Sequence, residues 1–331
     1  MLNTNKLHFY QISPILIVLV LLSIISLGIG ISFGSVTIHF PQLIHAIFSK
    51  TDSVQHEIVM QIRAPRVLTA FIVGGLLALS GALMQVLLRN PLADPYVLGV
   101  SGGAAVASLL VMMLGISTSF LGLWAFVGSL FSMFLVMGLA RSRNFSSMRL
   151  LLTGVVIATG WAAIISFILS VSPQHNLRGM LFWLMGDLSY AKFSIWHLLI
   201  LIFGLLISLF FAKPLNILAR GEITAKSLGL NTQRLSWLLY LITSLLTACA
   251  VSIAGCIGFV GLIVPHMLRQ FGNNDHRFIL PGSVLLGGIL LTLADTLSRS
   301  LMSPIQLPVG VVTAIIGVPC FLFLLRRGSK K

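Results

Sequence analysis

The sequence predicts an all-α integral membrane protein, and two observations lead to this fold class. Hydrophobic residues make up 57% of the 331 positions and charged residues only 8%, whereas a soluble domain carries about a quarter charged residues. The hydrophobic positions are gathered into long runs that contain no Asp, Glu, Lys or Arg. Because backbone polar groups find no partners in hydrocarbon, such runs are expected to cross the bilayer as helices.

The lengths of these charge-free runs predict the number of helices, since one spanning helix needs about 20 residues. Most runs are long enough for a single helix. The run 95–140 is long enough for two, with a break expected around 115–122. The complete set is 14–34, 67–88, 95–140, 150–177, 193–212, 235–268, 278–294 and 300–325.

The run 235–268 decides between nine and ten spans. Its glycine-rich stretch 255–261 would divide it into a full helix and a shorter helix ending near Pro265 and His266. Ten spans put both termini on one side. With that side in the cytoplasm, 15 of the 21 basic residues lie inside, where Lys and Arg concentrate in membrane proteins. The six outside residues are Lys50, Arg63, Arg66, Arg178, Lys192 and Arg299.

We therefore expect residues 1–331 to form one polytopic transmembrane domain with ten helices and both termini in the cytoplasm. The run 14–34 is long for a signal-peptide core and is expected to be a retained helix. The net charge of +14 does not indicate a nucleic-acid partner, because the basic residues punctuate the apolar runs and form no patch. The three cysteines lie in apolar runs without ligand spacing, so no metal site is predicted. They are Cys249, Cys256 and Cys320.

The longest polar interval in the second half of the chain is 213–234, here called the polar segment, and the predicted orientation places it in the cytoplasm. Pro214 and Asn216 predict a break after the preceding helix. Glu222 begins a short predicted helix that Gly229 ends as a C-cap. An ordinary solvated loop is the alternative. The helix has an apolar face of Ile223, Ala225, Leu228 and Leu230, and the charged residues available to a partner are Arg220, Glu222, Lys226 and Arg234.

Two Gly/Pro-rich segments interrupt the apolar runs, at 89–103 and 255–266. Pro91 and Pro95 cannot continue a helix, and Gly99 permits close backbone approach. Non-helical backbone at membrane depth survives only when protein packs around it or when it lines water. A plain interhelical turn is an equally good interpretation of the first segment. The likeness of the two segments is weak support for the internal repeats common in transporters.

Charged residues near the outer ends of the helices have two interpretations. Arg63 and Arg66 precede the second helix, while Asp295 and Arg299 end the ninth and are spaced to pair as i, i+4. Anchoring at the membrane interface would explain each of them separately. Three arginines on one outer face instead suggest a docking surface for an acidic partner.

Motifs along nearly the whole chain carry a resemblance to a known family. They are IRAPR (62–66), SGALMQVLLRNPLADPYVLGVSGGA (80–104), LFWLMGDLS (181–189), GEITAKSLGL (221–230), GFVGLIVPHMLR (258–269), LADTLSR (293–299) and LPVGVVTAIIGVPCFLFLL (307–325). In their order and spacing they resemble the FecCD-type permeases, the membrane subunits of ABC importers for iron-siderophores, haem and cobalamin.

The resemblance implies a cobalamin-importer-permease-like fold of ten transmembrane helices in the bacterial inner membrane. Such permeases work as homodimers or as paired homologues, and the fifth and tenth helices line a path at the dimer interface. Two ATPase subunits drive transport, and a periplasmic or lipid-anchored binding protein delivers the substrate. The chain lacks the P-loop pattern G-x-x-x-x-G-K-[ST], so it is expected to bind no cofactor and to catalyse nothing itself, with ATP used by the partner ATPase.

The resemblance also assigns roles to residues. Coupling to the ATPase is implied for Arg220, Gly221, Glu222, Ala225, Lys226, Leu228 and Gly229. Docking of the binding protein is implied for Arg63, Arg66 and Arg299, and a cytoplasmic gate for Ser146 and Ser147. The structural motif residues are Asn90, Pro91, Asp94, Pro95, Gly99, Pro265, His266 and Asp295. One position departs from the family, which commonly has Glu before the LPxG motif where this chain has Gln306.

Other function classes and the substrate stay open at this point. An ion-coupled secondary transporter would use an intramembrane carboxylate or His, for which Asp295 is the candidate. A rhomboid-like protease would use Ser101 in the G-x-S-G of 99–102, with His266 as its base. Within the importer interpretation an iron-siderophore is the first expected substrate, followed by haem or cobalamin. The sequence does not distinguish a homodimer from a heterodimer with a sister permease.

Overall fold

A computed structural model describes residues 4–34, 54–141, 146–189, 191–271, 274–303 and 305–328. Across these ranges the chain is built of helices and contains no strand. The helices are α1 (Thr4–Ser32), α2 (Val54–Leu87), α3 (Val100–Met113), α4 (Leu121–Ala140), α5 (Ser147–Val171), α6 (Gln174–Leu184), α7 (Ile195–Phe210), α8 (Ala212–Leu218), α9 (Glu222–Ser227), α10 (Thr232–Ala254), α11 (Val260–Gln270), α12 (His276–Ser300) and α13 (Val309–Gly328). The predicted topology also used Lys50, Arg143, Lys330 and Lys331, which lie outside the described residues.

The described helices confirm a multi-pass membrane protein. Within the described ranges, six helices are long and apolar enough to cross a bilayer, namely α1, α2, α4, α5, α10 and α12. The pair α7 and α8, bent by 62° at its junction, would make a seventh span. Helix α3 and residues Val309–Leu324 of α13 are shorter apolar helices. Ten spans and the orientation of the termini therefore stay predictions.

Helix α2 lies at the centre of the bundle and is buried along most of its length. Glycines bring its neighbours unusually close. A Cβ atom on Gly74 would lie 2.2 Å from the carbonyl oxygen of Gly287 in α12, and one on Gly81 would lie 1.9 Å from that of Gly261 in α11. Small residues allow such backbone approach between membrane helices. Helix α2 is thus a fixed rod that carries Arg66 in its first half and is followed closely by Arg89 at its other end.

Both predicted breaks in the long apolar runs are confirmed. Helix α3 ends at Met113 and α4 begins at Leu121, while α10 ends at Ala254 and α11 begins at Val260. The expectation that the shorter helix ends near Pro265 and His266 is wrong, because α11 continues to Gln270. A proline at position 265 removes the hydrogen bond to the carbonyl of Gly261. That carbonyl packs closely against α2 instead.

The two interrupted segments pack against each other. The backbone N–H of Ile257 donates to the phenolic oxygen of Tyr96 at 3.0 Å. Asp94 accepts a 2.8 Å hydrogen bond from the backbone N–H of Tyr96, which caps the 3-10 turn Pro95–Leu98 before Gly99 adopts a left-handed φ of 74°. On the side of the second segment, Gly261 is in close contact with Pro95. Non-helical backbone here is therefore packed by protein, as its depth in the bundle requires.

The polar segment bends earlier than predicted. The chain turns at Phe211, between α7 and α8, and Pro214 lies inside α8. Proline is tolerated there because the first turn of a helix does not use its N–H groups. Asn216 is also helical and ties α8 to the start of α12, donating to the Asp275 carboxylate at 2.8 Å and accepting from the backbone N–H of His276 at 2.9 Å. The predicted break at Pro214 and Asn216 is thus wrong in position.

Candidate coupling and docking sites

Helix α9 has the ends that its sequence predicts. Gly221 precedes it with φ 118° and ψ 152°, a conformation open essentially only to glycine. At the other end Gly229 has φ 78° and donates to the carbonyl of Lys226, and the N–H of Leu230 donates to the carbonyl of Ala225. These two hydrogen bonds form a Schellman motif. The short helix is therefore fixed between two glycines.

The apolar residues of α9 do not form the single face that the sequence predicts. Ala225 is fully buried against the chain and Leu230 is half-buried. Ile223 and Leu228 instead point outward, with 87% and 65% of their surface exposed. Two large apolar side chains thus project outward, one from α9 and one from the residue that follows it.

The charged residues of α9 are engaged within the chain. The Glu222 carboxylate pairs with the ammonium of Lys226 at 2.9 Å and with the guanidinium of Arg89 at 2.9 Å. The hydrogen bond from Lys226, and after it the charge of Arg89, hold the pKa of Glu222 below its ordinary value of 4.5 despite partial desolvation. The sequence led us to expect that Glu222 would be available to a partner, but its carboxylate is already paired within the chain. The Lys226 side chain is exposed.

Arg89 connects α9 to the start of α5. Its Nη2 atom, which pairs with Glu222, also donates to the hydroxyl of Ser147 at 3.2 Å. The Ser147 hydroxyl in turn donates to the carbonyl of Leu87, the last residue of α2, at 3.0 Å. Ser146 caps α5 by accepting from the N–H of Arg149 at 3.3 Å. The two serines for which the sequence predicts a gate therefore lie next to α9, and that role stays a prediction.

The backbone of Arg89 has an unusual conformation. Its φ is 50°, its N–H donates to Val86, and the N–H of Asn90 donates to Gln85, so α2 ends in a Schellman motif whose glycine position holds an arginine. A left-handed non-glycine residue costs about 1–2 kcal/mol, and a partly exposed ion pair contributes about 0–1 kcal/mol. Stability alone does not explain an arginine here. Sequence reasoning did not single out this residue, although an arginine immediately before Asn-Pro at a helix end was visible.

At the end of the bundle opposite α9, one carboxylate lies between two guanidinium groups. Arg66 pairs with Asp295 at 2.8 Å through Nη2 and donates through Nε at 3.1 Å. The predicted i, i+4 pair between Asp295 and Arg299 is confirmed at 3.0 Å. Asp295 is fully buried, so this cluster is closed to water in the isolated chain.

Arg63 and Arg299 also cap the end of α1. Arg63 donates to the carbonyls of Ile31 and Ser32 at 3.0 and 2.9 Å, and Arg299 donates to that of Gly30 at 3.2 Å. The last carbonyls of a helix lack intrahelical partners and carry partial negative charge. The arginines therefore fasten α1 to α2 and α12.

The structure corrects the picture of an exposed docking surface. Arg63, Arg66 and Arg299 are only 4%, 8% and 6% exposed, and their donors are directed into the chain. Contact with carboxylates of a binding protein would require the cluster to open, and this docking role stays a prediction. Exposed Gln306 accepts from Arg66 at 3.0 Å and from Ser189 at 3.1 Å. Its amide oxygen thus occupies the position at which the family commonly has a glutamate.

The geometry does not favour the two other function classes. Asp295 is saturated by Arg66 and Arg299, whereas a coupling carboxylate must exchange its ion. The protease interpretation lacks its base, because His266 packs against the ring of Phe321 with centroids 6.0 Å apart. Among the described residues, no hydrogen bond joins His266 to Ser101.

Interrupted apolar helices around a central rod, together with a short capped helix at one end, define a membrane transport subunit rather than a soluble enzyme. Residues 15–327 match the FecCD transport family, and the chain belongs to that family. Members of this family are transport permeases and not catalytic subunits. The family predicted from the sequence is thereby confirmed.

Relatives and solved structures agree with this assignment. The chain is 37% identical over 320 residues to the uncharacterized ABC transporter permease protein YvrB of Bacillus subtilis, covering 92% of this chain and 90% of that protein. It is 41% identical over 276 residues to the vitamin B12 import system permease protein BtuC of Salmonella paratyphi A, covering 82% and 84%.

Two solved structures share the fold. One is a putative metal-chelate type ABC transporter in an inward-facing conformation, with a TM-score of 0.82, 32% identity and coverage of 95% of this chain and 99% of that chain. The other is PsaBC from Streptococcus pneumoniae in complex with Fab, with a TM-score of 0.54, 18% identity and coverage of 78% and 89%. The second shows the likeness of the fold alone.

Proposed function

We propose that this chain is the membrane permease of a binding-protein-dependent ABC importer in the bacterial inner membrane, and that separate subunits hydrolyse the ATP. The observation that carries the proposal is α9, whose exposed Ile223 and Leu228 offer an apolar contact to an ATPase. Two glycines and the Arg89–Glu222 ion pair hold this helix against the bundle. A helix fixed in this way would pass movement of the ATPase to the membrane domain.

The proposed topology has ten spans with both termini in the cytoplasm. It adds α3, α11 and α13 to the six long helices and the bent pair α7–α8. Helix α6 is then an additional short helix on the outer side, and α9 lies on the cytoplasmic side. The positive-inside distribution of the sequence supports this orientation.

We further propose that α5 faces a second permease, either another copy of this chain or a homologue, with the path between them. Helix α5 is largely exposed in the isolated chain. Its exposed side includes the hydroxyls of Thr159, Ser166 and Ser170, each of which donates to its own preceding turn. Hydroxyls that are hydrogen-bonded in this way tolerate lipid and can also line a neutral aqueous path. The exposure of α5 is therefore compatible with both environments, and membership of the FecCD family is the reason for proposing the path.

The proposed substrate is a bulky metal chelate. The relatives include vitamin B12 permeases and a putative metal-chelate transporter, so cobalamin stands beside ferric siderophore and haem. Uptake of radiolabelled cobalamin, ferric siderophore and haem by cells that depend on this chain would discriminate between them. Dependence of all three on this chain, or of none, would contradict a permease dedicated to one chelate.

The proposal is tested by purifying the tagged chain in mild detergent and identifying co-eluting proteins by mass spectrometry. We expect a P-loop ATPase near one-to-one, together with a binding protein and, in a heterodimer, a second permease. The double variant Ile223→Asp/Leu228→Asp should lose the ATPase. The matched control is Leu301→Asp, which changes an exposed leucine at the opposite end of the bundle and should retain the ATPase. A well-folded chain that reproducibly elutes alone would contradict the proposal.

A further inference from the structure

We propose that Arg89 is the positioning residue that transmits movement of α9 to the start of α5. The inference rests on the proposed function, since it assumes that an ATPase moves α9. In this proposal one side chain transmits movement from α9, which contacts the ATPase, to α5, which is proposed to line the path. This role is distinct from the contact of α9 with the ATPase itself.

The contacts of Arg89 form a closed connection between three elements. Glu222 at the start of α9 holds one guanidinium nitrogen at 2.9 Å. The same nitrogen donates to the Ser147 hydroxyl at 3.2 Å, and that hydroxyl donates to the last carbonyl of α2. A displacement of Glu222 therefore changes the position of the guanidinium that holds the first residue of α5.

The position of Arg89 on the molecule favours transmission over simple tethering. Its backbone follows the end of α2, the most deeply buried helix, so the Cα atom is fixed while the long side chain reaches outward. Ser147 and Glu222 belong to α5 and α9, which have far fewer contacts with the core. The guanidinium group thus contacts two less constrained helices, α5 and α9, while its backbone is held in place by the buried helix α2.

The backbone of Arg89 provides an independent argument. Glycine is the usual residue at this position of a Schellman motif because it adopts positive φ without strain, and the chain does use glycine at the equivalent position 229 after α9. At position 89 the chain instead has an arginine with a strained backbone. Its ion pair is partly exposed and contributes little to the free energy of unfolding. Strain retained at a contact between moving parts indicates a functional side chain.

The test compares Arg89→Gly with wild type in proteoliposomes that contain the chain, its ATPase and its binding protein. Glycine relieves the backbone strain and removes only the side chain, so the variant should fold and bind the ATPase normally. We expect substrate transported per ATP hydrolysed to fall by about fivefold or more, the range of typical coupling between sites. Arg141→Gly is the matched control, since Arg141 is an exposed arginine that directly follows α4, and it should transport as wild type does.

A charge reversal sharpens the result. Arg89→Glu alone should uncouple transport from hydrolysis, and combining it with Glu222→Arg should restore a large part of the coupling by re-forming the pair. Rescue is not expected if Arg89 serves only to end α2. Unchanged transport per ATP in Arg89→Gly, or double and single variants that are equally impaired, would overturn the inference.

A measurement on the purified chain separates this inference from the proposed function. Spin labels on the exposed residues Met148 and Ser227, in a Cys256→Ser/Cys320→Ser background that leaves only the buried Cys249, report the distance between the start of α5 and the end of α9. We expect a narrow distribution in the wild type and a broader one in Arg89→Gly. Identical distributions would contradict the link even if ATP-driven transport were established, whereas wild-type proteoliposomes that do not transport would contradict only the proposed function.

Discussion

The two ends of the molecule carry ion clusters with the same pattern of charges but different exposure to solvent. In each, one carboxylate lies between two cations: Asp295 between Arg66 and Arg299 at one end, and Glu222 between Arg89 and Lys226 at the other end. The side chain of Asp295 is 0% exposed, whereas that of Glu222 is 27% exposed. Burial, and not the set of residues, therefore decides what each cluster does.

The physical difference follows from desolvation. A buried charge that loses its partner has no water to replace it, so the Asp295 cluster can open only at high cost. A partly exposed pair exchanges its partner for water at almost no cost. The Asp295 cluster accordingly holds α1, α2 and α12 together, while the Glu222 cluster would be able to make and break contacts if, as proposed, α9 moves. Substitutions at either end, and a change of pH, test this contrast.

The largest expected effect comes from Asp295→Asn. It leaves Arg66 and Arg299 buried without a counter-charge, and breaking a buried pair in this way costs about 3–5 kcal/mol. Unfolding of the purified chain in detergent, followed by heat or denaturant, should therefore shift strongly. Glu57→Gln, an exposed acidic residue at the start of α2, is the control and should change little. Equal stability of Asp295→Asn and wild type would contradict this role of the Asp295 cluster.

An intermediate effect is expected from exchanging the charges of α9 in Glu222→Lys/Lys226→Glu. The exchange keeps an ion pair between positions 222 and 226 of the helix. It replaces the carboxylate that faces Arg89 with an ammonium group, which repels the guanidinium. Because the cluster is partly exposed, stability should change by less than about 1 kcal/mol, while ATP hydrolysis should no longer drive transport. Parallel assays of unfolding, hydrolysis and uptake check this combination, and unchanged uptake would remove the coupling role of α9.

The smallest expected effect is that of pH on coupling. The pKa of Glu222 lies below 4.5 because of its hydrogen bond from Lys226 and the charge of Arg89. A lowered pKa means that the pairs contribute fully above the ordinary value and are lost only as the pH falls through the lowered one. Transport per ATP should thus be constant between about pH 6 and 8. A decline over that interval would contradict this prediction.

Features set by neighbouring residues could be predicted from the sequence. Helix α9 stops before Gly229, and α10 ends before Gly255, because glycines adopt backbone conformations that other residues avoid. The pair between Asp295 and Arg299 follows from helical spacing alone. The family likewise follows from motifs that keep their order along the chain.

Features that join distant parts of the chain could not be predicted. Arg66 and Asp295 are 229 residues apart, and no local pattern indicates that they pair, so the sequence predicted a docking role for Arg66 but not its ion pair with Asp295. Gly186 is a further example, because its carbonyl accepts a 3.0 Å hydrogen bond from the N–H of Val309. The bond lies where the segments after α6, after α10 and before α13 meet. Replacing Arg66 by Glu would therefore test folding before it tested docking.

The central claim is that α9 lies against an ATPase, and photo-cross-linking from position 223 tests it most directly. A photoreactive amino acid replaces Ile223 in the assembled complex, and the same group at Leu301 serves as the control at the opposite end of the bundle. The account predicts that illumination joins the chain to a P-loop ATPase from position 223 and not from 301. Cross-links from 223 to lipid alone, in a complex that still contains the ATPase, would contradict it.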